Sequence, residues 1–387
     1  MSLASAEAAE ARRKAATTVG YHNLKLGPTA WNFAAGLGFE FNDNVYYTSS
    51  GEKSDLIVRP YIETRMLWPV SEQNSLTLSL GAGYSAYLQN PDLSRLYISP
   101  NTELSFDLYA GDVWLNFHER ITIIEDNYSD PTIVGNADYS RLENTLGVTA
   151  VWDLNTVILR LGYDHAIYSS LSGGTAAYPD GQADMVFLTA GYTINRAMIA
   201  GVELGGGAVS YDLEGTNVFY SDALQWNAGA FLESRFSDYI RGRLSGGYTV
   251  FSPDSNAPGV SDEGGTYVQL GMNHRLNKYV DYGLGVSHRV SFTFYGGTIE
   301  MYSGSLYANW RLIQKVNLTT GFTYEHGKYL YGYPEEFDRF GPSLRLSRYL
   351  TQKLSASLSY QFYWRDSNLP WRDYLMNIVN LSLRHQF

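Results

Sequence analysis

The most constraining feature of this sequence is an alternation of apolar and polar residues over segments that are long for β-strands. In segment 75–88 every even position is leucine, alanine or tyrosine, whereas the odd positions are serine, threonine or glycine as far as residue 85. Segment 353–364 repeats the alternation. Because side chains alternate between the two faces of a strand, each segment predicts a strand with one continuous apolar face.

The length of these segments separates a membrane wall from a soluble sandwich. Strands of globular proteins average about 5–6 residues, and the segments here are about twice as long. A strand that crosses the hydrocarbon core needs about 9–11 tilted residues. No apolar run in the sequence approaches the roughly 18 residues of a membrane-spanning helix. The pattern therefore predicts an all-β transmembrane barrel.

The same alternation assigns the remaining strands. They are predicted near 31–42, 55–69, 75–89, 97–110, 112–125, 138–153, 156–169, 184–194, 197–211, 222–236, 239–252, 266–276, 279–293, 300–312, 316–330, 337–349, 353–365 and 373–387. This makes about 18 antiparallel strands, an even number as in single-chain bacterial barrels. The connections alternate between short and long, which predicts short periplasmic turns, longer extracellular loops and both termini in the periplasm of a Gram-negative bacterium.

The chain divides into two parts. Residues 31–387 form the predicted barrel, and residues 1–30 form an N-terminal periplasmic segment. Within the latter, Ala4-Ser5-Ala6 is typical of the small-residue end of a signal peptide, so the segment is either a signal-peptide remnant or a helical tail. The net charge of -11 argues against a nucleic-acid partner.

Function is expected on the inward face, where arginine is frequent. The predicted pore-lining residues are Arg59, Glu63, Arg65, Arg120, Arg141, Glu143, Arg160, Glu233, Arg235, Arg241, Arg243, Arg275, Arg289, Arg311 and Arg345. Two interpretations stay open. The arginines could brace neighbouring strands through carboxylates, since guanidinium suits bidentate pairing. Alternatively, a surplus of arginine biases permeation toward anions.

The predicted loops and outer strand ends carry the opposite charge. Acidic residues there include Asp43, Asp55, Asp130 and Glu335, which are interpreted as solvated loop acids or as ligands for divalent cations that bridge lipopolysaccharide. The best local candidate is 126–130, although it lacks the glycine and closing glutamate of a calcium loop. Whether a metal binds is left open. No cofactor is predicted, and no grouping of serine, histidine and acid indicates an enzyme.

The apolar, outward face has its own markers. Four tryptophans share lipid-facing parity at the periplasmic strand ends, where such rings favour the membrane interface: Trp31, Trp68, Trp152 and Trp310. Six polar residues interrupt this face: Glu119, Asn144, His165, His274, His288 and Asn377. Bulges, interfacial strand ends and a contact between protomers are equally open explanations.

The two ends of the chain carry family resemblances. The last strand is apolar at Leu381 and Leu383 and stops at Phe387, which resembles bacterial outer-membrane barrels, whose terminal aromatic residue is read by the barrel-assembly machinery. Residues 24–45 resemble the opening of the β-barrel porins associated with exopolysaccharide operons. That resemblance implies an outer-membrane barrel and, as one role, polysaccharide export, with no catalytic residues to carry over.

Three functions are compatible with these features. The first is a passive porin-like channel for small hydrophilic solutes, biased toward anions by the lumen arginines. The second is a conduit that exports an acidic exopolysaccharide, and the third is a structural or adhesion barrel with a closed lumen. Because roughly 16–18 strands leave an aqueous channel, the strand number favours the first two, and we predict the passive channel. Outer-membrane lipids, lipopolysaccharide and the assembly machinery are the predicted partners.

Overall fold

The computed structural model describes residues 22–124, 130–134, 140–171, 180–212, 222–253, 262–292, 298–330 and 334–387. The strands are β1 (Leu24–Leu26), β2 (Thr29–Asn42), β3 (Asp55–Pro69), β4 (Ser75–Tyr87), β5 (Arg95–Ile98), β6 (Glu103–Ala110), β7 (Val113–Ile124), β8 (Arg141–Asp153), β9 (Val157–Ser170), β10 (Gly181–Asn195), β11 (Met198–Tyr211), β12 (Ala223–Arg235), β13 (Ile240–Pro253), β14 (Glu263–Arg275), β15 (Val280–Phe292), β16 (Thr298–Ile313), β17 (Val316–Tyr329), β18 (Glu336–Tyr349), β19 (Leu354–Ser367) and β20 (Tyr374–Gln386). Among the described residues, helix is limited to two short 3₁₀ turns, and none could cross a membrane.

The strands close into one antiparallel barrel. Successive strands pair in chain order, and β2 pairs with β20 from Ala34↔Gln386 to Asn42↔Ile378, which leaves no open sheet edge. β5 and β6 both pair with β4 and with β7, so they act as one interrupted strand, while β1 only folds back on β2. The prediction of an 18-stranded antiparallel barrel is confirmed.

The interruption between β5 and β6 is the main departure from the predicted strands, which included a continuous strand at 97–110. Pro100 lies in the break, and proline has no N–H to donate to a ladder. The chain turns there instead, with the Thr102 amide donating to the Ser99 carbonyl at 3.0 Å. The backbone N–H of Gly81 on β4 donates to the Thr102 hydroxyl at 3.1 Å, so a side chain partly replaces the missing ladder.

The two ends of the barrel differ in their connections. We call the end with the short connections the turn end, and the opposite end, with longer connections, the loop end. The β6–β7 turn at the turn end is tight because Gly111 has a φ of 62°, in the left-handed region that glycine adopts without strain. The chain terminus also lies there, since the Phe387 amide donates to the Phe33 carbonyl at 3.1 Å.

The polar residues on the outward face are partnered within that face. Glu119 accepts a hydrogen bond from Asn144 at 3.1 Å on the neighbouring strand. The ring nitrogens of the three histidines and the Asn377 oxygen likewise meet outward neighbours, in the pairs His165–Asp184 at 2.9 Å, His274–Tyr282 at 2.6 Å, His288–Glu300 at 2.9 Å and Asn377–Tyr360 at 2.7 Å. Cross-strand pairing therefore lowers the cost of placing these groups on an apolar face.

Candidate pore

The loop end of the lumen is narrowed by a segment of the β7–β8 connection. Residues 130–134 reach β19 and β20, which lie several strands away around the barrel. Val134 belongs to a buried apolar cluster with Tyr374 and Met376, whose alternation with outward Leu375 places them on the inner wall. Thr132 and Ile133 are also buried. The segment therefore enters the lumen instead of following the rim.

Two arginines hold this segment through its backbone. Arg365 Nε donates to the Pro131 carbonyl at 3.2 Å, and Arg372 Nη2 donates to the Thr132 carbonyl at 3.0 Å. Both guanidiniums pair with the carboxylate of Glu335 at 2.8 Å, and the side chains of Arg365 and Glu335 are 0% exposed. One buried carboxylate thus orders both side chains. We call Glu335, Arg365 and Arg372 the loop-end clamp.

A second connection fills the lumen beside the clamp. In the β2–β3 connection, the Asn44 side chain donates to the Leu375 carbonyl at 3.0 Å and to the Thr48 carbonyl at 2.8 Å. Tyr47 joins the cluster that contains Val134. Segments from two different connections therefore meet at the inner wall of β20. This makes the loop end the candidate constriction of the pore.

Two of the acids that the sequence interpreted as solvated loop residues or as cation ligands are structural. Glu335 is buried in the clamp, and Asp55 is buried beneath the β4–β5 connection. Asp55 accepts hydrogen bonds from the amides of Leu88 at 2.9 Å, Gln89 at 3.0 Å and Asn90 at 2.8 Å. Within the described ranges no group of three or more potential ligands could hold a metal. Residues 126–129 of the calcium candidate lie outside those ranges.

The predicted pore-lining residues divide into two sets. The first set forms ion pairs across or along the wall. Its contacts are Arg59–Glu40 at 3.2 Å, Glu63–Arg384 at 2.9 Å, Arg120–Glu103 at 2.8 Å, Arg141–Glu143, Arg235–Asp238 at 2.7 Å, Arg243–Glu203 at 2.8 Å and Arg243–Glu233 at 2.9 Å. The contacts of these residues are those expected of arginines that brace the barrel wall through carboxylates.

The second set, which we call the unpaired arginines, has no ion pair or hydrogen bond from its side chains to any described residue. Its members are Arg65, Arg160, Arg241, Arg275, Arg289, Arg311 and Arg345. All seven are exposed. Except for Arg289, each lies within five residues of the turn end of its strand. Six of the seven unpaired arginines therefore lie near the turn end.

Two of the cavities along the described inner wall are lined by arginines of both sets. One, of about 690 Å³, is lined by Asn195, Arg235, Arg241, Arg243 and Asn273 among others. The other, of about 520 Å³, lies across β2, β3 and β17–β20, and its lining includes Arg59, Arg345 and Arg384. Paired and unpaired arginines thus contribute to both cavities. Sequence parity predicted inward positions for these arginines, but it did not show which of them have acid partners.

Comparison with known proteins assigns the family. A family described as "Putative beta-barrel porin 2" matches residues 32–387, nearly the whole barrel. The chain belongs to this porin family. The porin resemblance that residues 24–45 suggested is thereby confirmed, whereas the link to exopolysaccharide stays a prediction. No curated protein sequence matches this porin.

Solved structures of other porins share its fold. A BenF-like porin from Pseudomonas fluorescens Pf-5 has a TM-score of 0.53 at 8% identity, covering 94% of this chain and 100% of that one. OccK2 (OpdF) from Pseudomonas aeruginosa, solved in complex with glucuronate, has a TM-score of 0.53 at 12% identity, covering 94% and 99%. OccAB2 from Acinetobacter baumannii has a TM-score of 0.52 at 11% identity, covering 93% and 98%.

Together these findings define the molecule in broad terms. The family is one of channel-forming barrels. A closed antiparallel barrel with an outward apolar face is an outer-membrane architecture, because every backbone polar group is paired within the wall. Membership of a porin family agrees with the passive channel for small hydrophilic solutes that the strand number predicted.

Proposed function

We propose that this porin is biased toward small anionic solutes by the unpaired arginines at its turn end. The observation that supports this is the division of the inner wall. Arginines with acid partners contribute little net field, whereas exposed guanidiniums without partners contribute their full charge to the water path. Arg59, Arg120, Arg141 and Arg243 belong to the first group, and their role is mainly to brace the wall.

The substrate class follows from the same chemistry. Guanidinium binds carboxylate and phosphate in a planar, bidentate manner. OccK2, which shares the fold, was solved with glucuronate, a small hydrophilic carboxylate. We infer that small carboxylates are also suitable solutes for this porin. The narrowed loop end sets the size limit.

The test is the reversal potential of the purified porin in a planar bilayer under a potassium chloride gradient. We expect a current that is ohmic at low voltage and a reversal potential displaced toward the chloride equilibrium potential. A reversal potential at zero or displaced toward potassium would contradict the anion bias. Single-channel conductance from the same recordings reports whether the loop-end constriction leaves an open water path.

Export of an acidic polysaccharide is the second candidate, and one observation favours it. Most of the unpaired arginines lie near the turn end. If that end faces the periplasm, a polyanion leaving the periplasm reaches them first. Adding polygalacturonate separately to each side of the bilayer distinguishes the two functions. A conduit should be blocked mainly from the turn end at low polymer concentration, whereas a small-solute porin should respond weakly from both sides.

We further propose that the turn end faces the periplasm, with both termini there. Short turns on the periplasmic side and longer loops outside are usual for bacterial barrels. In this arrangement residues 1–30 are a periplasmic segment ahead of the 31–387 barrel. Membrane lipids contact the outward apolar face, and lipopolysaccharide lies at the loop end. Protease sensitivity of a tag inserted at Gly111, measured in intact and in permeabilised cells, tests this orientation.

Phe387 is proposed as the signal read by the barrel-assembly machinery. Its side chain is 53% exposed, and its amide pairs with the neighbouring strand β2. Deleting Phe387 should slow assembly into the outer membrane while leaving secretion to the periplasm intact. Heat-modifiable mobility after a pulse of synthesis measures this. Normal assembly kinetics of the truncated chain would remove Phe387 from this role.

A further inference from the structure

The turn end contains a pair of like charges that the strand register places side by side. Arg235 on β12 and Arg241 on β13 are direct cross-strand partners, and both have inward parity. Like charges directly opposite each other on one face destabilise a strand pair. An anion between the two guanidiniums would reverse the sign of the interaction.

The acid partners at this place leave donors unused. Among the described residues, the Arg235 guanidinium pairs only with Asp238, whose side chain is 82% exposed, and exposed pairs of this kind contribute little. The Arg235 Nε is shielded from solvent without a hydrogen-bond partner in the described part of the chain. The Arg241 guanidinium is exposed and bonds to no described residue. Two guanidiniums with little or no compensation by acids therefore lie at neighbouring positions.

The next inward arginine along β13 provides an internal contrast. Arg243 is held by Glu203 at 2.8 Å and Glu233 at 2.9 Å, and its guanidinium lies 4.4 Å from the Phe231 ring centroid. Two carboxylates thus neutralise Arg243 and fix its position. Arg241 differs from it by one inward position and lacks such partners, so the exposed donors are local to the turn end.

Asn273 adds neutral donors beside this pair. It is the register partner of Arg241 on β14. Its side-chain oxygen accepts a hydrogen bond from the Tyr307 hydroxyl, which orients the amide. The amide nitrogen has no partner among the described residues. An oxyanion beside Arg241 could therefore accept hydrogen bonds from a neutral donor as well as from charged ones.

The cavity at this place has the size of a small-ligand site. Its volume of about 690 Å³ lies within the roughly 300–1,000 Å³ of typical ligand pockets. Four arginines and one glutamate line it, namely Arg196, Arg235, Arg241, Arg243 and Glu233. The lining therefore has a surplus of positive charge in a recess of the wall.

We propose that Arg235, Arg241 and Asn273 form a binding subsite for an oxyanion, the carboxylate or phosphate group of a small solute, at the turn end of the pore. This inference rests on the proposed anion bias. It adds a binding site whose occupancy makes the current saturate with anion concentration. The two guanidinium forks bind the oxygens of the anion from both sides, and the Asn273 amide donates a further hydrogen bond. The subsite holds a passing anion briefly before release.

The test uses acetate and inorganic phosphate as separate probes, each added to the turn-end side in single-channel recordings. We expect the current carried by at least one of them to saturate with concentration. The Arg241→Gln variant should raise the half-saturating concentration about tenfold, since a charge-assisted hydrogen bond is lost. The matched control is Arg345→Gln, another exposed, unpaired arginine near the turn end but outside this cavity. It should lower anion selectivity and leave the half-saturating concentration unchanged.

Each outcome of these recordings supports or overturns the proposed subsite. Equal shifts in Arg241→Gln and Arg345→Gln would overturn the subsite, because the effect would then reflect only the overall field. An anion-biased pore without saturation overturns the subsite alone, whereas a pore without anion bias overturns the proposed function. The Arg241→Lys variant keeps the charge but loses the planar fork, so it should retain selectivity and bind the saturating probe more weakly. Unchanged saturation in both Arg241 variants would also reject the proposal.

Discussion

The two ends of the lumen use the same residue type in opposite ways. At the loop end, Arg365 and Arg372 are buried, share Glu335 and hold a chain segment inside the barrel. At the turn end, Arg241 and Arg345 are exposed and bond to no described residue. Arg365, Arg241 and Arg345 occupy inward positions of long strands, whereas Arg372 lies in a 3₁₀ turn at the loop end. Inward position alone therefore does not make an arginine a determinant of permeation.

Burial explains the difference. Where connections fill the lumen, water is excluded, and an unpaired charge would cost several kcal/mol. Arginine is compatible with that environment only with a carboxylate and with carbonyls as acceptors. Where the lumen is open, water solvates the guanidinium, so no acid partner is needed and the charge acts on passing ions. The comparison yields three predictions, from the largest expected effect to the smallest.

Removing the shared carboxylate should have the largest effect. The Glu335→Ala variant leaves two guanidiniums buried without an acid, and breaking such a pair costs about 3–5 kcal/mol. We expect a lower thermal unfolding temperature in detergent and a higher single-channel conductance as residues 130–134 lose their anchor. The control is Glu63→Ala at the turn end, whose partly exposed pair with Arg384 should contribute less than about 1 kcal/mol. Equal destabilisation by both variants would remove the distinction between the ends.

Neutralising arginines should separate bracing from selectivity. Replacing Arg65, Arg160 and Arg345 together with glutamine should lower the anion-to-cation permeability ratio roughly twofold, because exposed charges set the field in the pore. Replacing the paired residues Arg59 and Arg120 with glutamine should change the ratio little and affect stability instead. Reversal potentials of folded variants measure both effects. A larger selectivity change in the paired set would reverse the assignment.

The dependence of the permeability ratio on ionic strength tests the second prediction further. The screening length falls from about 10 Å at 0.1 M to about 3 Å at 1 M. The difference in permeability ratio between the parent and the triple variant should therefore shrink as ionic strength rises. A difference that is independent of salt would indicate a change of pore shape and not of charge.

The smallest effect concerns the outward face at the turn end. Trp68, Trp152 and Trp310 are exposed on that face, and Trp31 has the same parity. Their fluorescence should be quenched by lipid labels placed at the membrane interface, since indole rings favour that level. Replacing one tryptophan at a time with phenylalanine assigns the quenched fraction. Quenching by acrylamide in place of the lipid label would refute the placement of this end at the interface.

The sequence predicted the barrel because its signal is local. Side chains alternate with a period of two in any strand, so long alternating segments indicate both the strands and the faces of their residues. The exception at β5–β6 follows from Pro100, which was visible in the sequence but lies within an otherwise regular alternation. Parity likewise predicted which arginines lie on the inner wall, including all of the unpaired ones.

The alternation of residues along each strand could not show which charged side chains form ion pairs. The pair Arg59–Glu40 depends on the register between β2 and β3, and a shift of one residue would have sent the side chains to opposite faces. The clamp depends on contacts between Arg365 and Pro131, 234 positions apart in the chain. Such contacts exist only once the barrel has closed and its loops have folded inward. The sequence by itself determined the wall and its inward charges, because strand periodicity is a local property. The tertiary structure alone decided which charges are neutralised, because burial and pairing depend on distant segments brought together.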